Sequence, residues 1–397
     1  MLNATRVNAH YHEQYLLSGA RVAFSPWRAI PASLLVRDAQ IVAVLPGKET
    51  LSAYAKPLHR IDLKDHLILP GLINVHDHLH LGMFPRLGHG PYPSWREWAT
   101  DIYHPAEPPL VDLLTISKET RIWWGAIHNA LSGVTTVCHH DALHPLLTSN
   151  RLPVNVHMQN GWAHSLDDPS WYARYDETPA NQRFVVHFAE GTNTQSRQET
   201  KKLTCKVKLN ERLVLVHAVG VSKFDWPKLR EAGVWIVWCP TSNLHILGET
   251  LARDLILNYR SIALGSDSPI SSAGDLLDEL KTAHTLLDIP SDFLYRMVTN
   301  RAARLLHLPS HHGSIAEGGV ADLFITRDTG QPPCESLSTL RRNDFAAVMR
   351  GGKIVVASDE FISKLDRATG SQLFPIRRYG QRWHVAAPPE NLNLRTA

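Results

Sequence analysis

Apolar and polar positions follow two different rhythms along the chain. Residues from about 15 to 68 read as short strands broken by turns, with 34–37 and 41–45 as examples and Pro46–Gly47 ending the second. Residues 318–356 read the same way: 321–326, then 346–349, then Arg350-Gly-Gly-Lys353 as a hairpin turn into 354–357. Between these ends, a helical stretch at 113–132 leads into a strand at 135–137. Apolar runs at 154–158, 184–188, 213–216, 234–238 and 262–264 follow, with amphipathic pieces such as 223–232 and 273–287 between several of them. Alternating β and α with near-continuously apolar strands predicts a parallel sheet buried on both faces.

At 397 residues the chain is long enough for one large α/β domain and a smaller partner. A (β/α)8 TIM-like barrel is then favoured over an open sheet. The expected division is a small β domain from 1–68 and 310–360, a barrel over 69–309, and a C-terminal extension over 361–397. That extension, rich in Arg and Pro, is expected to pack on the surface or on a neighbouring subunit.

Composition narrows the function. A net charge of +3 without a basic block argues against nucleic acid and anionic membranes as partners. Cys138, Cys205, Cys239 and Cys334 show no CxxC spacing, which suits a reducing cytoplasm rather than a disulfide framework. The N-terminal stretch lacks a basic segment followed by an apolar one, so no signal peptide is expected. No apolar run approaches the roughly 18 residues of a membrane span. The expectation is a cytoplasmic protein with a small-molecule substrate, assembled as a homodimer as large barrel enzymes often are.

The chemistry-bearing residues stand where the apolar runs end. In LILPGLINVHDHLHL (67–81), His76 and His78 are two residues apart, so on a strand both project to one face while Asp77 points away. His80 continues the alternation and falls at the pocket rim. RFVVHFAEG ends its run at His187 with Glu190 three residues on, LVLVHAVG ends at His217, and IALGSDSP reaches Asp267. In parallel barrels the chemistry sits at the C-terminal strand ends. Neutral imidazoles plus one carboxylate hold one divalent ion of zinc type, with iron or manganese open by the same chemistry. Such an ion brings the pKa of water toward neutrality. Asp267 suits a proton acceptor, and Glu190 an acid that reaches over the pocket without joining the ligands.

With these residues in view, the chain resembles the amidohydrolase superfamily, and most closely its aminohydrolase and chlorohydrolase branch. The resemblance rests on PGLINVHDHLH (70–80), GVTTVCHHD (133–141), VVHFAEG (185–191), LVHAVGVS (215–222), WCPTSNLHILG (238–248), LGSDSP (264–269) and GSIAEGGVADLFI (313–325). It implies that His76, His78, His187 and Asp267 bind one metal ion, that Glu190 shuttles a proton to the leaving nitrogen, and that His217 orients the attacking water. It places Ser242 and Asn243 near the substrate and makes the β-rich ends a small β-sandwich.

Two departures matter. No lysine lies between Lys118 and Lys201, so the middle strands lack the carboxylated lysine of dinuclear relatives, and a single ion is expected. Between Cys138 and His187 there is one clear strand, 154–158, where two are usual, with 171–175 as a weak second. The barrel is therefore expected to be distorted or short of a strand on that side. His139, His140 and Trp162 fall there and are assigned to the substrate. The leading expectation is an aminohydrolase of a small heterocyclic or amidine-like substrate. The alternatives are hydrolysis of a cyclic amide, or loss of an alkylamine or halide from a ring, and from a different class a non-catalytic scaffold.

Overall fold

The computed structural model describes residues 14–47 and 59–388. Most of the N-terminal stretch read for a signal peptide lies outside them. The apolar run around Leu67 is two strands. His66–Pro70 pairs antiparallel with Leu323–Arg327, whereas Leu72–Asp77 pairs in parallel with Val134–His139. Gly71 is the switch between sheets. A Cβ there would stand 2.3 Å from Thr135 Oγ1, so the close passage of the two segments requires glycine.

Strands from the two chain ends form one ten-stranded sheet, with Leu323–Arg327 against His66–Pro70 as the seam. Its strands carry alternating buried positions, such as Leu34 and Val36, and Leu323 and Ile325, in one apolar cluster. The C-terminal extension departs from expectation. Leu373–Arg378 and Gln381–Ala386 form a hairpin that pairs with Lys353–Ser358, and Trp383 is fully buried. Its loop, Tyr379–Gly380, takes φ of 53° and 72°, the conformation of a two-residue hairpin turn. The Arg-rich composition hid the alternation that puts Trp383 and Val385 inward, with Leu373 and Ile376 buried on the facing strand.

The parallel strands are, in chain order, β1 (Leu72–Asp77), β2 (Val134–His139), β3 (Asn155–His157), β4 (Asn160–Ser165), β5 (Arg183–Phe188), β6 (Leu213–His217), β7 (Trp235–Trp238) and β8 (Ile262–Leu264). They lie as a three-stranded sheet β1-β2-β3 and a five-stranded sheet β8-β7-β6-β5-β4. A parallel bridge between Asp77 and Asp267 joins the two at the end of β1. Only Met158 and Gln159 separate β3 from β4, so one run of chain pairs first with β2 and then with β5. The stretch at 171–175 is helical (Trp171–Glu177), with Trp171 and Tyr175 four residues apart on the face that meets the core. No described helix is long and apolar enough to cross a membrane.

Candidate metal centre and active site

Four donor atoms converge at the ends of β1, β5 and β8. His76 Nε2 and His78 Nε2 lie 3.5 and 3.4 Å from Asp267 Oδ1. His187 Nε2 lies 3.2 Å from His76 Nε2 and 3.4 Å from His78 Nε2. Ligands about 2.0–2.1 Å from zinc stand about 3.4 Å apart at tetrahedral angles. The side chains therefore already hold four edges of such a polyhedron.

Their protonation fits as well. His187 Nδ1 donates to the His164 carbonyl at 2.6 Å, which leaves the Nε2 lone pair facing the cluster. Burial brings His76 down to about 4, and burial with the neighbouring His140 pushes His187 well down, so both are neutral at pH 7. Burial alone would raise Asp267, but its hydrogen bond to His76 and the surrounding imidazoles hold it below the usual carboxylate range. Its second oxygen, Oδ2, accepts from Ser242 Oγ at 2.7 Å and Ser271 Oγ at 2.6 Å, leaving Oδ1 for an ion. The donor set fits a zinc-type divalent ion.

A polar network locks these strand ends together. Asp77 points away from the donors, as strand alternation requires, and accepts from Asn129 Nδ2 at 3.1 Å and Ser266 Oγ at 2.8 Å. Asn74 Nδ2 donates to Ser266 Oγ and Asn129 Oδ1 at 2.6 and 2.8 Å. Main-chain bonds complete the closure: His78 N–H donates to the Asp267 carbonyl at 2.8 Å, and Asp267 N–H to the His76 carbonyl at 3.1 Å. Asp267 and His217 both have positive φ, 58° and 72°. Asp and His tolerate that region better than most residues, and strain of this kind concentrates at functional sites.

Glu190 and His217 face each other beside the donors. Glu190 Oε2 lies 3.6 Å from His217 Nε2. Burial, then the charges of Asp267 and Glu199, raises the Glu190 carboxyl well above its ordinary range, which favours its protonated form. His217 Nδ1 donates to Asn243 Oδ1 at 2.8 Å, and burial lowers its pKa, so Nε2 presents a lone pair. An acid and a base thus flank one point. The Trp95 N–H donates to the Glu190 carbonyl at 3.1 Å, which ties this turn to the helix Trp95–Ile102.

The cavity over these groups holds about 320 Å³. His80, His140 and Trp162 line it, as the sequence led us to expect. Ser242 and Asn243 do not line it; they stand behind Asp267 and His217 and hold them. His139 lines a smaller, adjoining cavity of about 150 Å³, next to the shared β3–β4 run. Its Nδ1 accepts from the Leu79 N–H at 3.2 Å, so Nε2 carries the hydrogen. His80, His139 and Asp141 lie close enough for a second ion. His139 Nε2, which carries a hydrogen, and Lys118 Nζ at 3.0 Å from Asp141 Oδ2 do not suit an ion there. Trp95, Trp98, Asp141 and His164 also line the main cavity, the last two without an assigned role in the sequence reading. The Ser94–Glu97 capping pair was a readable signal for the helix that carries the first two.

Several known proteins are similar to this chain. It is 23% identical over 420 residues to a protein of Pyrococcus horikoshii named 5-methylthioadenosine/S-adenosylhomocysteine deaminase, covering 88% of this chain and 96% of that one. An adenosine deaminase of Xanthomonas campestris, solved with bound zinc, superposes with a TM-score of 0.66 at 18% identity, over 86% and 92% of the two chains. The atrazine chlorohydrolase of Arthrobacter aurescens, solved with zinc, gives 0.64 at 19% identity over 86% and 95%. Residues 176–355 match the amidohydrolase family.

Proposed function

We propose that the protein is a zinc-dependent aminohydrolase that releases ammonia from an aminated heterocycle. The observation that carries this reading is the placement of Glu190 Oε2 3.6 Å from His217 Nε2, beside a four-donor metal cluster. His76, His78, His187 and Asp267 would hold the ion. When bound there, a divalent ion acidifies water and supplies hydroxide at neutral pH. Glu190 donates its proton to a ring nitrogen of the substrate, which makes the adjacent carbon electrophilic; it then takes up a proton released by the attacking water and passes it to the departing amine, which leaves as ammonia. His217 Nε2 accepts a hydrogen bond from the attacking water and orients it. Trp95, Trp98 and Trp162 give flat walls for a planar ring. The relatives named as deaminases of adenine nucleosides support this substrate class.

We further infer that the three- and five-stranded parallel sheets are parts of one barrel. Asp77 and Asp267 close it on one side, and the shared run 155–165 closes it on the other, giving seven strands in place of eight. The ten-stranded sheet would then be the second domain.

The test is to incubate zinc-loaded protein with aminated purines, their nucleosides, pyrimidines, pterins and triazines, following ammonia and product mass. Ammonia release from one class is expected. Loss of an alkylamine or halide with retention of the ring amine would move the protein to the other branch. No turnover of any compound by zinc-replete protein would overturn the reading.

A further inference from the structure

The lining of the main cavity is sharply biased in charge. Among the described residues no lysine or arginine lines it, while Asp141 does. The nearby cations are committed elsewhere. Lys118 Nζ sits 3.0 Å from Asp141 Oδ2, Arg96 pairs with Asp167 and Glu199, and Arg174 lies over Trp162 at 5.2 Å and donates to Ser170 Oγ. Asp141 follows directly on the end of β2 and is half-buried. Its Oδ2 also meets His80 Nδ1 at 3.3 Å. Lys118 is the charge that pairs with Asp141. Burial alone would raise the Asp141 carboxyl, but His80 and Lys118 outweigh it and bring it down to about 2.

We propose that Asp141 is the specificity-determining residue of this site. Its carboxylate accepts hydrogen bonds from the donors of an uncharged or cationic substrate, such as a hydroxyl pair or an amino group. The pocket accordingly excludes aminated rings that carry a carboxylate or phosphate. This rests on the aminohydrolase reading and sharpens it. The ring lies against Trp95, Trp98 and Trp162, its reacting carbon near Glu190, and its substituent reaches His80 and Asp141. An anionic substituent placed there meets a carboxylate and finds no free cation, so its lost hydration is not repaid. A volume of about 320 Å³ is at the small end for such sites, which also suits a ring with one short substituent. Among adenine nucleosides, the methylthio compound satisfies these terms, whereas a 5′-carboxylate or 5′-phosphate does not; the homocysteine compound is a zwitterion whose α-ammonium and α-carboxylate pull opposite ways.

Four probes decide this: adenosine, 5′-methylthioadenosine, adenosine 5′-carboxylic acid and adenosine 5′-phosphate, each assayed for turnover and, separately, for binding by quenching of tryptophan fluorescence in zinc-loaded protein. The two uncharged nucleosides are expected to bind at least about tenfold to a hundredfold more tightly than the two anionic ones, the range a hydrogen bond to a charged group spans. In Asp141→Asn, KM for the uncharged pair rises by about tenfold with kcat nearly kept, and the penalty on the anionic pair shrinks; Asp141→Glu restores part of the preference. The Asp141–Lys118 pair is half-exposed, so both variants should fold. Equal or tighter binding of the anionic probes, or an unchanged preference in Asp141→Asn, overturns the proposal. Binding that follows this order without ammonia release would sustain it while overturning the deaminase reading.

Discussion

Burial next to another carboxylate favours the protonated form of a carboxyl, and that decides what Glu190 can do. It is a proton donor, poised over the substrate position rather than over the ligands. Glu190→Gln preserves shape and hydrogen-bonding capacity but removes the transferable proton. It should lower kcat by about 10²- to 10⁴-fold with zinc content and far-UV circular dichroism unchanged. Retention of more than a tenth of the activity would remove Glu190 from the role of acid. Ser242 acts through another residue: its hydroxyl fixes Asp267 Oδ2 and so aims Oδ1. Ser242→Ala should weaken zinc binding by about 10- to 100-fold, read by competition with a chromophoric chelator, while the zinc-saturated enzyme keeps most of its kcat. His76, His78, His187, Glu190, His217 and Asp267 were legible because each closes an apolar run. The roles of Ser242 and Asn243 were not, since they depend on which strand end the helix Pro240–Leu247 packs behind, and no local pattern records that.

At the scale of elements, the site depends on how β1 meets the end of β8. No ladder joins these strands beyond the single bridge at Asp77 and Asp267, so Asn74, Asp77, Asn129 and Ser266 carry much of the join. All four are buried, and removing one partner strands the others away from water. Asn74→Ala should cost about 1–3 kcal/mol in urea unfolding and also slow turnover, because the same strands carry His76 and Asp267. A loss under half a kcal/mol would show the bridge holds without the network. Strand alternation predicted that Asp77 turns away from the donors. Its partners, 52 and 189 positions away, were invisible to any local pattern. The same limit split the run 67–81 at Gly71, where contact with Thr135 rather than any loss of apolar character ends the strand. The strand around 154–158 was legible before His187. That one run of chain would serve two neighbours was not.

Across the whole molecule, the burial that makes the histidines ready for metal leaves the metal-free protein sensitive to acid. Unfolded His76 takes up a proton near pH 6.5, whereas the folded side chain does so only near 4. Between those values the unfolded chain binds more protons, so stability falls as pH falls, by roughly 3 kcal/mol for this residue alone. Nine histidines are shifted down in this way: His76, His80, His128, His139, His140, His157, His164, His187 and His217. Six acids are shifted up and pull the opposite way: Asp77, Glu190, Glu199, Asp278, Glu279 and Asp322. The histidines outnumber them, so the net sign is loss of stability from pH 6.5 toward 5. Zinc reverses the balance by binding the neutral imidazoles of the folded state, adding about 2.7 kcal/mol at a hundredfold excess over Kd. Thermal unfolding with and without a chelator at pH 7.5, 6.5 and 5.0 should give a lower Tm for stripped protein at each pH, and a stripped Tm that drops toward pH 5.0. Restored zinc should recover both Tm and activity at pH 7.5. A stripped Tm that is flat or rising across that range would mean that the buried acids, not the histidine cluster, set the pH dependence of the fold.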